Sequence, residues 1–147
     1  MNIENLYRQI IMDHYKSPQN KGLVNDKNYF TVNLVNPSCG DDVTVQVLIV
    51  DNVVKDVRHI GKGCSICCSS ASVMTQELKG LKVEEALKTI DAFNNLLMNK
   101  PYDENLLQGD ALAYKGVSTF PARIRCANLA WYAAKEGILR EKEDNNG

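Results

Sequence analysis

Three cysteines and one aspartate stand where a folded scaffold could bring side chains together. Cys39 lies in a loop before a predicted hairpin, Cys64 precedes a predicted helix, and Cys126 lies early in the last predicted helix. Loop tips and helix starts commonly present functional groups. Asp41 follows Cys39 across Gly40, and glycine tolerates the bend that turns a thiolate and a carboxylate towards one ion. The pattern predicts a metal site with these three cysteines and the aspartate as ligands.

The type of ligand indicates which metals the site would take. Three thiolates and one carboxylate make four ligands, which suits tetrahedral Zn²⁺, while soft sulfur ligands also suit iron in sulfide clusters. Four negative charges on a divalent ion leave a charge of −2 that a partly buried site must offset. Lys62, Arg123 and Arg125 stand beside the cysteines and could supply the opposite charge. The start of a helix also favours the thiolate of Cys64.

The mixed ligand set predicts a labile site. A carboxylate is a harder and weaker partner for zinc than a thiolate, and structural zinc sites usually use only sulfur and histidine nitrogen. Such a site could release one ligand and free a thiolate to react. On this hypothesis the metal masks a nucleophile.

Length and composition bound the rest. The 147 residues are enough for one domain, 1–147, with a hydrophobic core and no disulfide staples. A net charge of −1 indicates no affinity for nucleic acid, and no apolar run is long enough to span a membrane. The first residues lack the features of a signal peptide, so we expect a cytoplasmic protein whose five cysteines are reduced.

The elements that must position these residues follow from hydrophobic periodicity. Strands come first and helices afterwards, which predicts an α+β fold with a three-stranded antiparallel sheet packed against helices. The polar stretch 99–116 should hold one short helix near Leu106, and Ser118 and Gly137 should cap the last helix. A charged tail from about residue 140 should be frayed. The predicted strands are 30–35, 43–49 and 53–60, with a turn at 51–52. The other predicted helices are one with helical spacing over 3–14 that ends by Pro18, one at about 65–78, and one at 83–97.

Four sequence motifs resemble the U-type iron–sulfur cluster assembly proteins, a family that includes IscU and the N-terminal domain of NifU. They are IMDHYKSP at 11–18, NPSCGD at 36–41, GCSI at 63–66 and RCANLAW at 125–131. Each motif alone is weak, but together they are specific and cover almost the whole chain. The resemblance implies a SufE/NifU-like fold and supports the same four metal ligands.

Two features resemble the SufU branch of this family. The scaffold branch has a histidine immediately before the third cysteine, where this chain has Arg125, which stays protonated and cannot ligate a metal. The scaffold branch is also shorter between the second and third cysteines, so 99–116 looks like an insertion. The resemblance implies a zinc-dependent acceptor and carrier of persulfide sulfur, acting with a SufS-like cysteine desulfurase and downstream iron–sulfur assembly proteins rather than as a stand-alone enzyme. By analogy, Cys39 would leave the zinc and accept sulfur.

Other interpretations stay open. The chain could be a scaffold on which an iron–sulfur cluster is assembled and transferred, or a non-catalytic adaptor stabilised by zinc. Cys67 and Cys68 stand where relatives should have small or apolar residues, and we interpret both as buried helix residues. Cys64 and Cys67 nevertheless form a CxxC at a helix start, so a redox role, or a fourth thiolate competing with Asp41, is a further alternative.

Overall fold

The computed structural model describes residues 2–107 and 109–146 and confirms the predicted α+β fold. Three strands precede three of the four α-helices, and two 3₁₀ segments lie before the last helix. The elements are α1 (Ile3–Lys16), β1 (Phe30–Asn36), β2 (Asp41–Val50), β3 (Val53–Lys62), α2 (Ser65–Leu78), α3 (Val83–Leu97), the 3₁₀ segments Glu104–Leu106 and Gly109–Thr119, and α4 (Pro121–Asn146). Within the described ranges, no helix is long and apolar enough to cross a bilayer.

The sheet is an antiparallel meander in the order β1-β2-β3. Asp51 and Asn52 both have positive φ, 52° and 62°, which confirms the predicted two-residue turn, since such φ values match the twist of a tight hairpin. At the other end of β2, Asn36 pairs with Asp41 and Asp42 pairs with Lys62. The register therefore brings the turn after β1 and the end of β3 to the same edge of the sheet.

One face of the sheet packs against α2 and α4. Val43, Val45 and Val47 alternate along β2 and are at most 1% exposed, as expected for a strand with one face in the core. On α4, the Trp131 ring stacks on Phe93 with centroids 3.9 Å apart. Apolar burial on this face holds the helices in fixed positions relative to the sheet.

The segment between α1 and β1 is tied to the sheet by polar side chains. The Gln46 amide accepts a hydrogen bond from Val24 N and donates one to Val24 O, at 2.8 and 3.0 Å. Arg58 donates to the backbone oxygens of Lys21 and Gly22, at 3.0 and 2.9 Å. These hydrogen bonds pair backbone N–H and C=O groups in a long connection that has little regular structure of its own.

The predicted start of the last helix is wrong by a few residues. Ser118 Oγ donates to Lys115 O at 2.9 Å, inside the second 3₁₀ segment, instead of accepting a bond from the helix. The helix begins at Pro121, where proline is favoured because its missing N–H would be unpaired in the first turn in any case. The cap-like serine misled the prediction because it lies only three residues before the true start.

The predicted end of this helix is also wrong, since α4 passes through Gly137 and continues to Asn146. A Cβ on Gly137 would lie 2.9 Å from Val47 Cγ2. The glycine is therefore required by the close approach of α4 to β2 and does not terminate the helix. The tail predicted to fray from about residue 140 is helical up to Asn146, with an ion pair of 2.7 Å between Arg140 and Glu136. Gly147 lies outside the described residues.

The stretch predicted as polar with one short helix is more structured than expected. Its first 3₁₀ segment lies at the predicted position, but a second, Gly109–Thr119, follows it. Tyr114 in that segment is fully buried and donates to Ser69 Oγ at 2.6 Å. Asp110 accepts from His14 Nε2 at 2.6 Å. The stretch is thus attached to both α2 and α1.

We expect acid to destabilise the fold through His59. This residue is 4% exposed and donates through Nε2 to Gln19 O at 2.9 Å. Burial lowers the pKa of His59 below its ordinary value of 6.5, so the unfolded chain takes up the proton first. The stabilising effect is complete above about pH 6.5 and is lost as pH falls, by at most about 1.4 kcal/mol per pH unit.

The measurement is the free energy of unfolding in urea between neutral pH and pH 5 for the wild type and for His59→Gln, which keeps a donor near Gln19 O. The wild type should lose more stability over this range than the variant. Parallel pH profiles would contradict a role for His59.

Candidate metal centre

Three of the four predicted ligands converge at the edge of the sheet. The Sγ atoms of Cys39 and Cys126 and a carboxylate oxygen of Asp41 all lie within 4.8 Å of one another. Cys39 is half-buried on the turn between β1 and β2, whereas Asp41 is 2% exposed and Cys126 is fully buried. The turn is tight, with Cys39 N–H donating to Asn36 O at 3.2 Å. One ligand is thus on an accessible turn and two lie in the packed interior.

The Asp41 carboxylate is held by groups from two different elements. Its Oδ1 accepts from the backbone N–H of Cys64 at 3.0 Å, and its Oδ2 accepts from Asn36 Nδ2 at 3.2 Å. Hydrogen bonds of this kind make burial of a carboxylate tolerable. They also orient the side chain towards the two sulfurs.

Asn36 is a site residue that the sequence analysis did not identify. Its amide nitrogen lies 3.2 Å from Asp41 Oδ2 and 3.6 Å from Cys126 Sγ, so it bridges two of the predicted ligands. The residue is 6% exposed at the end of β1. The sequence contained one signal for this role, since Asn36 is a polar residue at the end of a strand and the first residue of the NPSCGD motif. That signal does not indicate the direction in which the side-chain amide points.

Cys64 adjoins this group but is not within 4.8 Å of all three atoms. It is the N-cap of α2, and its N–H is bonded to Asp41. The pKa of Cys126 is raised chiefly by burial, and Cys64 is among the groups that raise it further. The structure therefore places the fourth predicted ligand beside the cluster, linked to it through its backbone N–H.

Gly63 is required by the close packing around Asp41. A Cβ at position 63 would overlap Asp41 Oδ1 and lie 3.0 Å from Asp41 Cα, and the residue has φ +150°. Any side chain here would push the carboxylate away from the cysteines. The absence of a side chain at Gly63 therefore leaves room for the Asp41 carboxylate.

Burial and the neighbouring acidic groups raise the proton affinity of Cys126. The pKa of the Cys126 thiol is raised by burial, and hydrogen bonds with Asp41, Cys39 and Cys64 raise it further. Arg123 is exposed beside the cluster, and its own pKa is raised by a hydrogen bond to Cys126 and by the charges of the three cysteines. Among the basic residues considered from the sequence, Arg123 contacts the cluster, while Arg125 is an exposed residue beside it.

The donor set fits a divalent metal ion. Two sulfurs and one carboxylate oxygen converge in a partly buried cluster, and the third predicted sulfur, that of Cys64, belongs to the residue beside it. Such a set matches Zn²⁺ in ligand number and type. A divalent cation would offset the negative charge of deprotonated thiols, so metal binding and proton release would be coupled.

The two extra cysteines occupy different environments. Cys67 is fully buried, as predicted. Cys68 is only half-buried: its Sγ lies 3.9 Å from Gly63 O and it lines a cleft of about 440 Å³ together with Lys21 and Lys62. The sequence interpretation of both as buried residues is therefore correct for Cys67 and too simple for Cys68.

Comparison with known proteins places the chain among iron–sulfur assembly proteins. Residues 6–127 match the model of the NifU-like N terminal domain. The zinc-dependent sulfurtransferase SufU of Bacillus subtilis is 44% identical over 98% of this chain and 97% of its own. The iron–sulfur cluster assembly scaffold protein IscU of Streptococcus pyogenes is 35% identical over 94% and 86% of the two chains.

A solved structure agrees with these relatives. It is the crystal structure of a candidate iron–sulfur cluster assembly scaffold protein for the SUF system from Fervidobacterium islandicum. The two structures superpose with a TM-score of 0.78 at 29% identity, covering 93% of this chain and 99% of the other. The likeness therefore extends over the whole fold and not only over the motifs.

Replacing Gly63 should weaken metal binding through Asp41. In Gly63→Ala the new methyl group would displace the Asp41 carboxylate, and we expect zinc affinity to fall at least about tenfold, measured by competition with a chromophoric chelator. Gly80→Ala is the matched control, because Gly80 also has positive φ (+93°) but nothing lies within 4 Å of its would-be Cβ. If Gly63→Ala binds zinc as tightly as Gly80→Ala, the new methyl group does not disturb the site through Asp41 and the prediction is wrong.

Proposed function

The chain belongs to the NifU-like N-terminal domain family, and from this membership and the geometry of its site we propose that it works as a zinc-dependent acceptor of sulfur. It is an iron–sulfur cluster assembly protein of the SufU type. The observation that carries the proposal is the convergence of the Cys39 and Cys126 sulfurs with an Asp41 oxygen within 4.8 Å. The name of the Bacillus subtilis relative supports zinc as the metal.

In this proposal Cys39, Asp41, Cys64 and Cys126 are the zinc ligands. Bound zinc would keep its cysteine ligands deprotonated at neutral pH and would mask the reactive thiolate. The four proposed ligands differ in how rigidly the surrounding structure holds them. Asp41 is fixed by two hydrogen bonds and Cys126 is buried on a long helix, so these two are suited to retain the metal.

Cys39 is suited to be the sulfur acceptor. It lies half-buried on a four-residue turn between strands, so its side chain can swing outward without disturbing the core. The freed thiolate attacks the outer sulfur of a persulfide on a SufS-like cysteine desulfurase. A sulfur–sulfur bond forms on Cys39, the bond in the desulfurase persulfide breaks, and the desulfurase thiolate leaves. No electrons are gained or lost overall, and the sulfur then passes to downstream iron–sulfur assembly proteins.

Arg123 supports this step electrostatically. Its fully exposed guanidinium faces the charges of Cys64, Cys126 and Cys39, so a cation stands at the point where an anionic sulfur enters or leaves. Hydrogen bonds from guanidinium to sulfur anions are charge-assisted and stronger than neutral ones. Because the guanidinium lies outside the ligand set, it can follow Cys39 as that side chain moves.

We further propose that 99–116 is an insertion that steadies the start of α4. It is supported by the buried Tyr114, which bonds to Ser69 on α2, and by the Asp110–His14 bond to α1. The segment runs directly into the helix that carries Cys126. Holding this segment against two helices limits how far Cys126 can move.

The test is the rate of alanine formation from cysteine by a SufS-like desulfurase. Zinc-loaded wild-type protein should accelerate the desulfurase, and Cys39→Ala should abolish the acceleration, because the accepting sulfur is missing. Cys68→Ser is the matched control and should act like the wild type. A Cys39→Ala protein that still accelerates the desulfurase would rule out the proposed transfer.

A cluster scaffold is the second candidate, favoured by the three thiolates and by the name of the Streptococcus relative. Iron–sulfur clusters are normally held by cysteine thiolates. Anaerobic addition of iron and sulfide should then give a coloured protein that passes its cluster to apoproteins. A colourless, zinc-retaining protein that accelerates the desulfurase would favour sulfur transfer.

A further inference from the structure

A second group of reactive side chains lies outside the candidate metal centre, in the cleft of about 440 Å³ that Cys68 lines. The cleft is formed where the end of β3 meets α1 and α2. Its volume is in the range of pockets that hold small molecules, about 300–1,000 Å³. Four of the side chains that line it carry groups able to bind or react with a ligand: Lys21, His59, Lys62 and Cys68.

The charge that the cleft presents is positive. Lys21 and Lys62 both line it and are both exposed, and the described residues that line it include no aspartate or glutamate. Asp42 lines the adjoining hollow on the outer face of the sheet, where its carboxylate accepts from Asn33 Nδ2 at 2.7 Å. A cleft lined by charges of one sign raises the local concentration of ions of the opposite sign. The two lysines therefore favour an anionic ligand.

His59 offers the same cleft a hydrogen-bond acceptor. Its side chain is only 4% exposed, and its Nε2 donates to Gln19 O at 2.9 Å. A neutral ring with its proton on Nε2 has a lone pair on Nδ1. In the described part of the chain, this Nδ1 has no hydrogen-bond partner. Because buried polar atoms are normally paired, the free nitrogen points to a ligand that carries an N–H or O–H donor.

Cys68 places a thiol beside these binding groups. It is half-buried, and its Sγ lies 3.9 Å from Gly63 O. The space that a side chain of Gly63 would need is taken by Asp41, so this glycine lies between the cleft and the candidate metal centre. Cys68 is not one of the four proposed zinc ligands. It would therefore stay a free thiol in the metal-loaded protein.

We propose that this cleft binds small disulfides of the amino-acid type, such as cystine, and that Cys68 forms a mixed disulfide with them. Lys21 and Lys62 bind the carboxylate of the ligand, and His59 Nδ1 accepts from its ammonium group. This site is separate from the proposed sulfur transfer and does not depend on it.

The exchange needs no reagent besides the small disulfide. The Cys68 thiolate attacks one sulfur of cystine, and a new sulfur–sulfur bond forms as the bond within cystine breaks. One cysteine leaves as a thiolate and takes up the proton that Cys68 lost. Cys68 is oxidised to the mixed disulfide, and the departing cysteine is reduced.

Selectivity should come from the cleft and not from the thiol itself. Burial raises the pKa of the Cys68 thiol above its ordinary value, so its reaction with disulfides that the cleft does not hold should be slow. A disulfide held beside the sulfur reacts faster because it no longer has to be brought there by collision. The charge pattern of the disulfide should therefore decide the rate.

The experiment compares three disulfides on the zinc-loaded wild-type protein. Cystine carries carboxylate and ammonium groups, dithiodipropionate carries only carboxylates, and cystamine carries only ammonium groups. Each is added at the same concentration, and peptide mass mapping follows the adduct on every cysteine with time. We expect cystine to modify Cys68 fastest and cystamine slowest, since the lysines repel a cation.

Substitution of the two lysines tests the binding groups. Lys21→Gln/Lys62→Gln should slow the reaction of cystine with Cys68 by about tenfold, the low end of what charge focusing in a cleft provides. Lys55→Gln/Lys115→Gln is the matched control. It removes the same charge from two exposed lysines that do not line the cleft, so it should react like the wild type.

Three results would overturn the proposal. They are an adduct on other cysteines with none on Cys68, a cystamine rate equal to that of cystine, and an equal loss of rate in the two lysine variants. Equal rates for cystine and dithiodipropionate would refute the contact assigned to His59. If the variants at Lys21 and Lys62 fail to fold, the comparison of cystine with cystamine on the wild type decides, because it changes no residue.

Discussion

The hydrogen bond from the Cys64 backbone to the Asp41 carboxylate is the contact on which the centre depends. It joins the first residue of β2 to the cap of α2, and it is possible only because Gly63 leaves the carboxylate room. A buried carboxylate is costly unless its oxygens are paired. The fold meets that cost with one backbone N–H and one asparagine amide, so the protein alone orients the carboxylate that we propose as a ligand.

This arrangement separates a rigid part of the site from a movable one. Asp41 and Cys126 are buried in packed elements, and Cys39 projects from a short turn. The sulfur transfer that we propose requires the site to hold a metal and release one thiolate, and it therefore needs both kinds of support. The position of Arg123 outside the ligand set is consistent with this division, since an exposed guanidinium can adjust to a ligand that moves.

Much of the fold could be predicted from the sequence because it depends on local signals, whereas the proposed ligands were indicated by their loop and helix-start positions together with the family motifs. Alternating valines define β2, and the Asp51-Asn52 turn defines its hairpin. The errors arose where a distant contact decides the outcome. Gly137 looks like a helix end in sequence, but in the structure it is the point where α4 touches Val47. The role of Asn36 and the position of Cys64 beside the cluster likewise depend on tertiary geometry that no spacing encodes.

The contact between Gly137 and Val47 sets the position of α4, and through that helix it sets the position of Cys126 in the candidate metal centre. Cys126 lies eleven residues earlier on the same unbroken helix, about 16 Å away along its axis. A bulky side chain at position 137 would push this part of α4 away from β2. The helix would then tilt about the packed Trp131, which lies between positions 126 and 137, and the Cys126 sulfur would move away from Asp41. Substitutions at Gly137, which is buried and carries no metal-binding group, would therefore change the metal affinity of the site that we propose.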